Sequence, residues 1–326
     1  MNLSVHEPIT PPTPTDFPSR DRSRAVLGAG PSPSPAPHCR LTVRNALTID
    51  VEDWIQSVLD VDRPLTARFV RNTHRVLEFL ADRDVKATFF ILGLAAENAP
   101  ELVREIHRAG HEVQSHGWGH RLLHTLARKE IRNDLLHSKK LLEDITGEPI
   151  IGYRAPAFSI TRRNLWVLDV IAECGYRYDS SIVPAATRRY GIDGVPWWPF
   201  RLATPSGAEL IEVPVATFRF FRRRPIGGGG YFRLYPASMI VRSFRALNRA
   251  GIPATAYVHP YEFAPNELSE LATDAGNKCF IPLRLRLTQG LGRGGVPRKL
   301  DRLLSEFSFG PVGEVIRTTP QTMIRL

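Results

Sequence analysis

Three carboxylates lie within four consecutive positions of the segment TIDVEDW, residues 48–54. Asp50, Glu52 and Asp53 directly follow a run of residues that is typical of a β-strand. Carboxylates grouped in this way can bind a divalent metal or accept a proton as a general base. The segment therefore predicts a reactive centre at the end of the first strand.

A pair of histidines offers a second part of such a centre. His116 and His120 in SHGWGH are four positions apart, so both imidazoles can face one metal if the segment turns helically. The pair alone is weak evidence, because a chain with ten histidines produces this spacing by chance. Two histidines and one carboxylate, however, hold a catalytic divalent metal and leave a position for water. We therefore interpret the carboxylates and these histidines together as a candidate metal site.

The elements that would position these residues alternate along the chain. Seven runs with strand character are separated mostly by segments with helical spacing. The predicted strands are NALTIDV, VKATFFIL, HEVQSHG, IIGYRAP, YRYDSSI, LIEVPVA and IPATAYVHP. Repeated strand and helix units indicate an α/β fold with a parallel sheet, either open and doubly wound or closed as a barrel.

Polar residues also end the later strands, where βα folds place their reactive groups. Arg154 follows the fourth strand, and a guanidinium beside an acidic strand end would fix a carboxylate in two hydrogen bonds, although a surface position is the alternative. Asp179 ends the fifth strand and fits a turn or a helix cap equally well. His259 follows the seventh, where a buried and hydrogen-bonded histidine is the ordinary outcome.

Composition is that of a soluble globular protein, with 43% apolar and 23% charged residues. No apolar run approaches the roughly 18 residues that a membrane helix needs, and the first residues lack the features of a signal peptide. The three widely spaced cysteines, Cys39, Cys174 and Cys279, favour free thiols in a reducing compartment. We therefore expect a cytoplasmic protein.

The chain divides into three parts by composition. Residues 1–44 are expected to form a disordered leader, because nine of the 27 prolines lie within residues 1–40. Residues 45–270 contain all the predicted strands. Residues 271–326 are expected to form a basic C-terminal extension that packs on this domain or continues it.

The net charge of +10 is concentrated near the C-terminus and in RFFRRR at 219–224. Residues 277–326 contain nine Lys or Arg and three acidic residues. A solvated basic tail is the simplest interpretation, and contact with an anionic glycan or a membrane surface is the alternative. We expect no nucleic-acid partner, since no nucleic-acid-binding motif accompanies the charge.

In chain order, IDVEDW, SHGWGH, GYRAPAFSI, YDSS and YVHP resemble the five motifs of the NodB-homology polysaccharide deacetylases, carbohydrate esterase family four. IGGGGYFRLYP, HPYEF and RKLDRLLSEFSFGPVGEVI extend the resemblance to the deacetylases that accompany bacterial exosortase and exopolysaccharide gene clusters. The resemblance implies a distorted seven-stranded (β/α) barrel in which residues 45–270 are the catalytic domain. It also implies a hydrolase that removes N-acetyl groups from hexosamine units of an exopolysaccharide or its precursor, with Zn²⁺ as the metal and Co²⁺ or Ni²⁺ as alternatives.

Site roles follow from the same resemblance, position by position. It implies that Asp50 is the general base, Arg154 orients that base, His116 and His120 are metal ligands, His259 is the general acid, and Asp179 holds His259 in its working protonation state.

The first motif departs from the family pattern, which has two adjacent aspartates, because Val51 separates Asp50 from Glu52. Residues i and i+2 of a strand share one face, so Asp50 and Glu52 both face the site if the strand continues. A turn that starts at Val51 would present Asp53 instead. We favour Glu52 as the metal carboxylate and keep Asp53 as the alternative.

Four aromatic residues are candidates for stacking against a sugar. Tyr231 and Phe232 follow the glycine run at 227–230, and Trp197 and Trp198 are adjacent in VPWWPF. A loop that forms part of a sugar groove would use them as platforms. Core packing beside a loop is the alternative for all four.

Two other functions remain open at this point. A related metal-dependent amidohydrolase that acts on a small cyclic amide would use the same site, because one fold hosts several chemistries. A non-catalytic glycan-binding or assembly module would result if the altered first motif had lost the metal.

Overall fold

The structure is a computed structural model and describes residues 43–187, 189–219, 221–273 and 280–325. The predicted leader, residues 1–44, lies outside the described residues except for its last two, and so do Cys39 and Cys279. Cys174 is a free and buried cysteine. None of the described helices combines the length and the apolar character that a membrane crossing requires.

Two sheets contain the described strands. The strands are β1 (Asn45–Val51), β2 (Thr88–Ile91), β3 (Glu112–Ser115), β4 (Gly152–Tyr153), β5 (Tyr178–Asp179), β6 (Phe200–Ala203), β7 (Glu209–Glu212), β8 (Thr217–Arg219), β9 (Arg223–Pro225), β10 (Thr255–Val258), β11 (Phe309–Gly310) and β12 (Met323–Arg325). The larger sheet has the order β10, β1, β2, β3, β4, β5, β7, β6 and β12, with β11 also paired to β1. Its pairs are parallel except β6 with β7, while β8 and β9 form a separate antiparallel hairpin.

Helices join most of these strands. They are α1 (Arg68–Ala81), α2 (Gly93–Asn98), α3 (Pro100–Arg108), α4 (Arg128–Thr146), α5 (Val167–Glu173), α6 (Gly229–Leu234), α7 (Ala237–Arg249), α8 (Glu267–Thr273), α9 (Leu283–Gly290), α10 (Val296–Glu306) and α11 (Val312–Thr318). Local signals explain several ends: Pro100 opens α3 at its first turn, and Gly147, with φ of 72°, closes α4 in the left-handed region.

The predicted mostly parallel α/β fold is confirmed, and each of the seven predicted strands overlaps an observed strand, namely β1 to β5, β7 and β10. The paired strands of the described residues form an open series and do not confirm a closed seven-stranded barrel. At the other edge of β10, the Tyr257 N–H donates to the Gly227 carbonyl at 2.8 Å, and the Ala216 N–H donates to the Thr255 carbonyl at 3.0 Å. The segment after β7 therefore lies along that edge.

All seven residues of β1 are buried, as expected for a central parallel strand that is covered on both faces. Leu47 and Ile49 belong to the main core, which also includes Phe89 of β2 and Leu135 of α4. This packing fixes the carboxyl end of β1, where the acidic segment lies, between the carboxyl ends of β10 and β2.

The C-terminal segment is built into the fold, so the interpretation as a solvated basic tail is wrong for much of it. The strand β11 pairs with β1, and Leu300 and Leu303 of α10 are fully buried. Two of its cations are also engaged: Arg293 is buried and lies 3.2 Å from Glu267, and Lys299 donates to the Arg233 carbonyl at 2.6 Å. Sequence charge alone does not reveal these partners.

Candidate active site

One cleft of about 680 Å³ collects side chains from the carboxyl ends of β1, β3 and β10. Asp50, Glu52, His116, His120 and His259 all line it. Because these strands are parallel and β1 lies between β10 and β2, their carboxyl ends meet at one edge of the sheet. The predicted location of the site is thus where the polar groups are observed.

A possible metal-binding group within this cleft consists of Glu52, His116 and His120. One ligand atom from each of the three lies within 4.8 Å of the others, and the His120 Nε2 is 2.7 Å from the Glu52 Oε2. The His116 Nδ1 is 2.8 Å from the Arg154 carbonyl oxygen, which leaves the His116 Nε2 free to bind a metal. Two imidazoles and one carboxylate with this spacing fit a divalent metal such as zinc.

The loop after β3 brings the two histidines together without forming a helix, which corrects the helical turn considered for SHGWGH. Gly117 and His120 have φ of 79° and 59°, so the chain bends in the left-handed region at both positions. The Asp134 carboxylate on α4 accepts the Trp118 N–H at 2.9 Å and stabilises this bend. Residue spacing does not predict such a loop, because its conformation depends on a partner from another element.

The carboxylates of Glu52 and Asp53 face different partners. Burial alone would raise the pKa of Glu52, but the charges of His120 and His259 outweigh it and hold that pKa below its usual range. Asp53 instead accepts the Ile55 N–H at 2.9 Å and the Thr66 N–H at 3.0 Å. Asp53 therefore closes a turn, and Glu52 is the carboxylate that lies with the histidines.

Asp50 and Arg154 form a buried ion pair beneath this group. The Arg154 Nη1 donates to the Asp50 Oδ1 and to the Thr48 hydroxyl, each at 2.7 Å. The Arg154 Nη2 and Nε donate to the hydroxyl and the carbonyl of Ser180, at 2.8 Å and 3.1 Å. The guanidinium is thus fixed from three sides and balances the charge of a carboxylate that faces the cleft.

His259 faces Glu52 on one side and Glu262 on the other. Its Nε2 lies 3.1 Å from the Glu52 Oε1, and its Nδ1 lies 3.2 Å from the Glu262 Oε2. Burial would lower the pKa of His259, but Glu52 and Glu262 outweigh burial and raise it to about 9. The imidazole is therefore set up to carry a proton.

The carboxylate beside His259 is that of Glu262. The resemblance implied Asp179 for this position, and the structure corrects that expectation. Glu262 also accepts the His259 N–H at 3.0 Å, which forms a capping box at the start of the 3-10 turn Pro260–Phe263. The signal was present in the sequence, since a proline and then a glutamate follow His259 at the spacing of a capping box.

Asp179 belongs to a different buried group. It accepts the Ser181 hydroxyl at 2.5 Å, and the buried Glu212 lies opposite it on the neighbouring strand β7. Burial raises the pKa of both carboxyls, and the charge of Asp179 raises that of Glu212 further. The two carboxyls form a buried pair on β5 and β7, away from His259.

The four proposed sugar-stacking residues do not line the cleft. Phe232 is buried in the main core, which matches the alternative of core packing. The Trp197 ring packs edge-on against Trp198 and carries the Arg223 guanidinium at 3.7 Å, while Tyr231 contacts Tyr235. The aromatic rings that do line the cleft are Phe158, Tyr190, Tyr257 and Tyr261. Sequence composition cannot distinguish these four from the others, because the tertiary fold determines which rings face the cleft.

Two family models match the chain. Residues 55–178 match the polysaccharide deacetylase model, and residues 180–317 match a model described as a domain of unknown function, DUF3473. The first match contains His116, His120 and Arg154, whereas Asp50 and Glu52 precede it and His259 lies in the second. The candidate site is therefore assembled from both matched regions and from the segment before them.

Curated relatives match parts of the chain. A peptidoglycan-N-acetylglucosamine deacetylase from Bacillus cereus is 31% identical over 105 residues, which cover 32% of this chain and 47% of that protein. A peptidoglycan deacetylase from Helicobacter pylori is 31% identical over 124 residues, which cover 38% of this chain and 41% of that protein. The chain thus matches less than half the length of these relatives.

A solved structure supports the fold over most of the chain. A crystal structure described as a polysaccharide deacetylase from Mycobacterium smegmatis has a TM-score of 0.56 and 21% identity, and the match covers 92% of this chain and 99% of that one. At this identity the match concerns the fold. The family model and the curated relatives together show that residues 55–178 resemble polysaccharide deacetylases.

Proposed function

We propose that this protein is a metal-dependent hydrolase that removes N-acetyl groups from hexosamine units of a bacterial exopolysaccharide or its precursor. The observation that carries the proposal is the grouping of Glu52, His116 and His120 in one cleft. Asp50 and His259 line the same cleft, so a base and an acid lie beside the group.

The residues of the site suit amide hydrolysis. A divalent metal held by Glu52, His116 and His120, for which we favour Zn²⁺ over Co²⁺ or Ni²⁺, would supply Lewis-acid activation of water and of the acetyl carbonyl. Asp50, oriented by Arg154, accepts the proton of the attacking water. His259 then donates its proton to the amine nitrogen as the carbon–nitrogen bond breaks, and acetate and the free amine leave.

The exopolysaccharide substrate and the barrel fold are parts of the same proposal. The exopolysaccharide substrate rests on the resemblance of the glycine-rich segment at 226–236 and of the C-terminal segment to the subfamily of exosortase and exopolysaccharide loci. The distorted (β/α) barrel is supported by the backbone hydrogen bonds from Ala216 and Tyr257, which link β10 to the segment after β7.

Acetate release tests the proposal. Purified protein loaded with Zn²⁺ or Co²⁺ should release acetate from N-acetylhexosamine oligomers, and His116→Ala should lose bound metal and at least about a hundredfold in kcat, as expected when a metal ligand is removed. His107→Ala, on α3 and away from the cleft, is the matched control and should retain activity. Acetate release that survives His116→Ala would contradict the proposal, and ring opening of a cyclic amide without acetate release would favour the amidohydrolase instead.

A further inference from the structure

A second cleft of about 710 Å³ adjoins the candidate active site. Three residues, His124, Arg189 and Tyr190, line both clefts, so the two form neighbouring parts of one groove. A volume of this size is sufficient for one or two sugar rings. A glycan chain bound at the metal group would therefore continue into the second cleft.

The charges that line this second cleft are mostly positive. Arg162, Arg163 and Arg189 line it together with a single acidic residue, Asp193. Within the described part of the chain none of these three guanidinium groups forms an ion pair, in contrast with Arg121 at the first cleft, which lies 2.8 Å from Asp62. Unpaired arginines around a concave surface attract anions and bind carboxylate or phosphate oxygens.

The loop that presents two of these arginines is held by internal hydrogen bonds. The buried Asn164 side chain accepts the Thr161 N–H at 2.8 Å and the Thr161 hydroxyl at 2.9 Å, and it donates to the Ser159 carbonyl at 3.0 Å. The Arg162 Nη2 donates to the Asp193 carbonyl at 2.6 Å. The loop backbone at Arg162 and Arg163 and the guanidinium of Arg162 are thus positioned before a ligand binds, which reduces the entropy cost of binding.

An apolar ring accompanies the charges. Trp166 is half-buried and lines the same cleft, as does the ring of Tyr190. Sugar rings pack their C–H faces on such side chains, while the ring substituents bind polar groups. Arginines beside a tryptophan therefore suit a sugar that carries an acidic group better than a small inorganic ion.

We propose that this second cleft is a subsite for an anionic sugar unit of the glycan whose N-acetylhexosamine lies at the metal group. The inference deepens the proposed function and rests on it for the position of the N-acetylhexosamine. The anionic group is a carboxylate, as in a uronic acid, or a phosphate on the sugar, and both share the chemistry that Arg162, Arg163 and Arg189 recognise.

The test compares neutral and acidic oligosaccharides of equal length. N-acetylglucosamine tetramers serve as the neutral probe, hyaluronan tetrasaccharides, which alternate N-acetylglucosamine with glucuronate, as the carboxylate probe, and N-acetylglucosamine oligomers with a terminal phosphate as the phosphate probe. We expect an acidic probe to bind at least about tenfold more tightly than the neutral one at low salt, and the preference to decline as ionic strength rises.

Substitutions test whether the preference for acidic probes arises in the second cleft. Arg162→Gln combined with Arg163→Gln should reduce the preference for the acidic probe about tenfold, in calorimetric binding and in the ratio of kcat/KM values. Arg298→Gln removes the same kind of charge from an exposed position outside both clefts and should leave the preference unchanged. A preference for one acidic probe identifies carboxylate or phosphate as the group that is bound.

Failure of this inference differs from failure of the proposed function. Acetate release with equal preference for all three probes, or with a preference that the double variant retains, would overturn the anionic subsite and leave the deacetylase proposal standing. Arginine-dependent binding of an acidic probe without acetate release from any of them would overturn the deacetylase proposal and support the subsite.

Discussion

Adjacent carboxylates in the acidic segment have separate tasks because each meets different hydrogen-bond donors. Glu52 faces two imidazoles in the cleft, whereas Asp53 faces two backbone N–H groups and the Thr66 hydroxyl. A residue's neighbours in space, and not its type, therefore decide which carboxylate is available to a metal.

Separate alanine substitutions should resolve this difference. Glu52→Ala removes one of three ligand atoms, so we expect loss of stoichiometric zinc with the fold retained, as measured by metal analysis and circular dichroism. Asp53→Ala leaves the ligands in place but exposes the turn donors, so we expect it to retain zinc and to lose about 2 kcal/mol of stability. Zinc lost with Asp53→Ala and retained with Glu52→Ala would contradict the assignment.

At the scale of elements, the loop that carries the histidines depends on α4. Burial raises the pKa of Asp134 to about 6 from its ordinary 3.8, so its ionised form is disfavoured in the folded protein. The protonated carboxyl of the folded state stabilises the protein below pH 3.8, and this contribution is lost as the pH rises through about 6. Asp134→Asn removes the titration while it keeps an acceptor for the Trp118 N–H.

Urea unfolding at a series of pH values checks this dependence. Between pH 4 and pH 7 we expect the stability of the wild type to fall by about 2 kcal/mol relative to Asp134→Asn, a figure reduced for partial exposure of the carboxylate. Unfolding curves for the two proteins that stay parallel across this range would show that Asp134 titrates normally.

In the glycine run at 227–230, close packing requires glycine at one position and leaves room for a side chain at another. A Cβ at Gly228 would lie 2.3 Å from the Tyr257 ring and from its carbonyl oxygen, whereas at Gly230 the nearest atom is the Arg233 Nη2 at 3.6 Å. We expect Gly228→Ala to cost about 2 kcal/mol of stability by overpacking and Gly230→Ala to change it by less than about 1 kcal/mol. Equal effects in thermal unfolding would contradict this contrast.

The strands were predictable from the sequence, because apolar runs and helix signals are local. The boundaries of the strands then indicated which polar residues lie at their ends. This is how Asp50, His116, Arg154 and His259 were found. The contact of Asp134 with the loop at Trp118 and the pairing of the C-terminal segment with β1 join distant segments, and local signals do not show them. β11 has only two residues, too few to show alternation, and is defined by its pairing with β1.

For the whole molecule, the C-terminal segment completes the core. Val296, Leu300, Leu303, Val312 and Val315 are buried, and their burial is worth roughly 10 kcal/mol in total, comparable to the whole stability of a domain. Truncation after Gly295 should therefore give a protein without a cooperative unfolding transition. Removal of residues 321–326, which takes only the edge strand β12, is the control and should leave that transition in place; a cooperative fold after the longer truncation would show that the segment is dispensable.

The parallel pairing of Ala46 with Thr255, and of Asn45 with Phe309, joins the first described strand to some of the last. During synthesis the acidic segment emerges from the ribosome long before β10 and His259, so Glu52 is present well before the histidine that faces it. Such long-range pairing slows folding and leaves the edges of β1 exposed until its partner strands have been synthesised. Both of these partner strands of β1 lie in the region that matches DUF3473, so that region determines when the candidate site is complete.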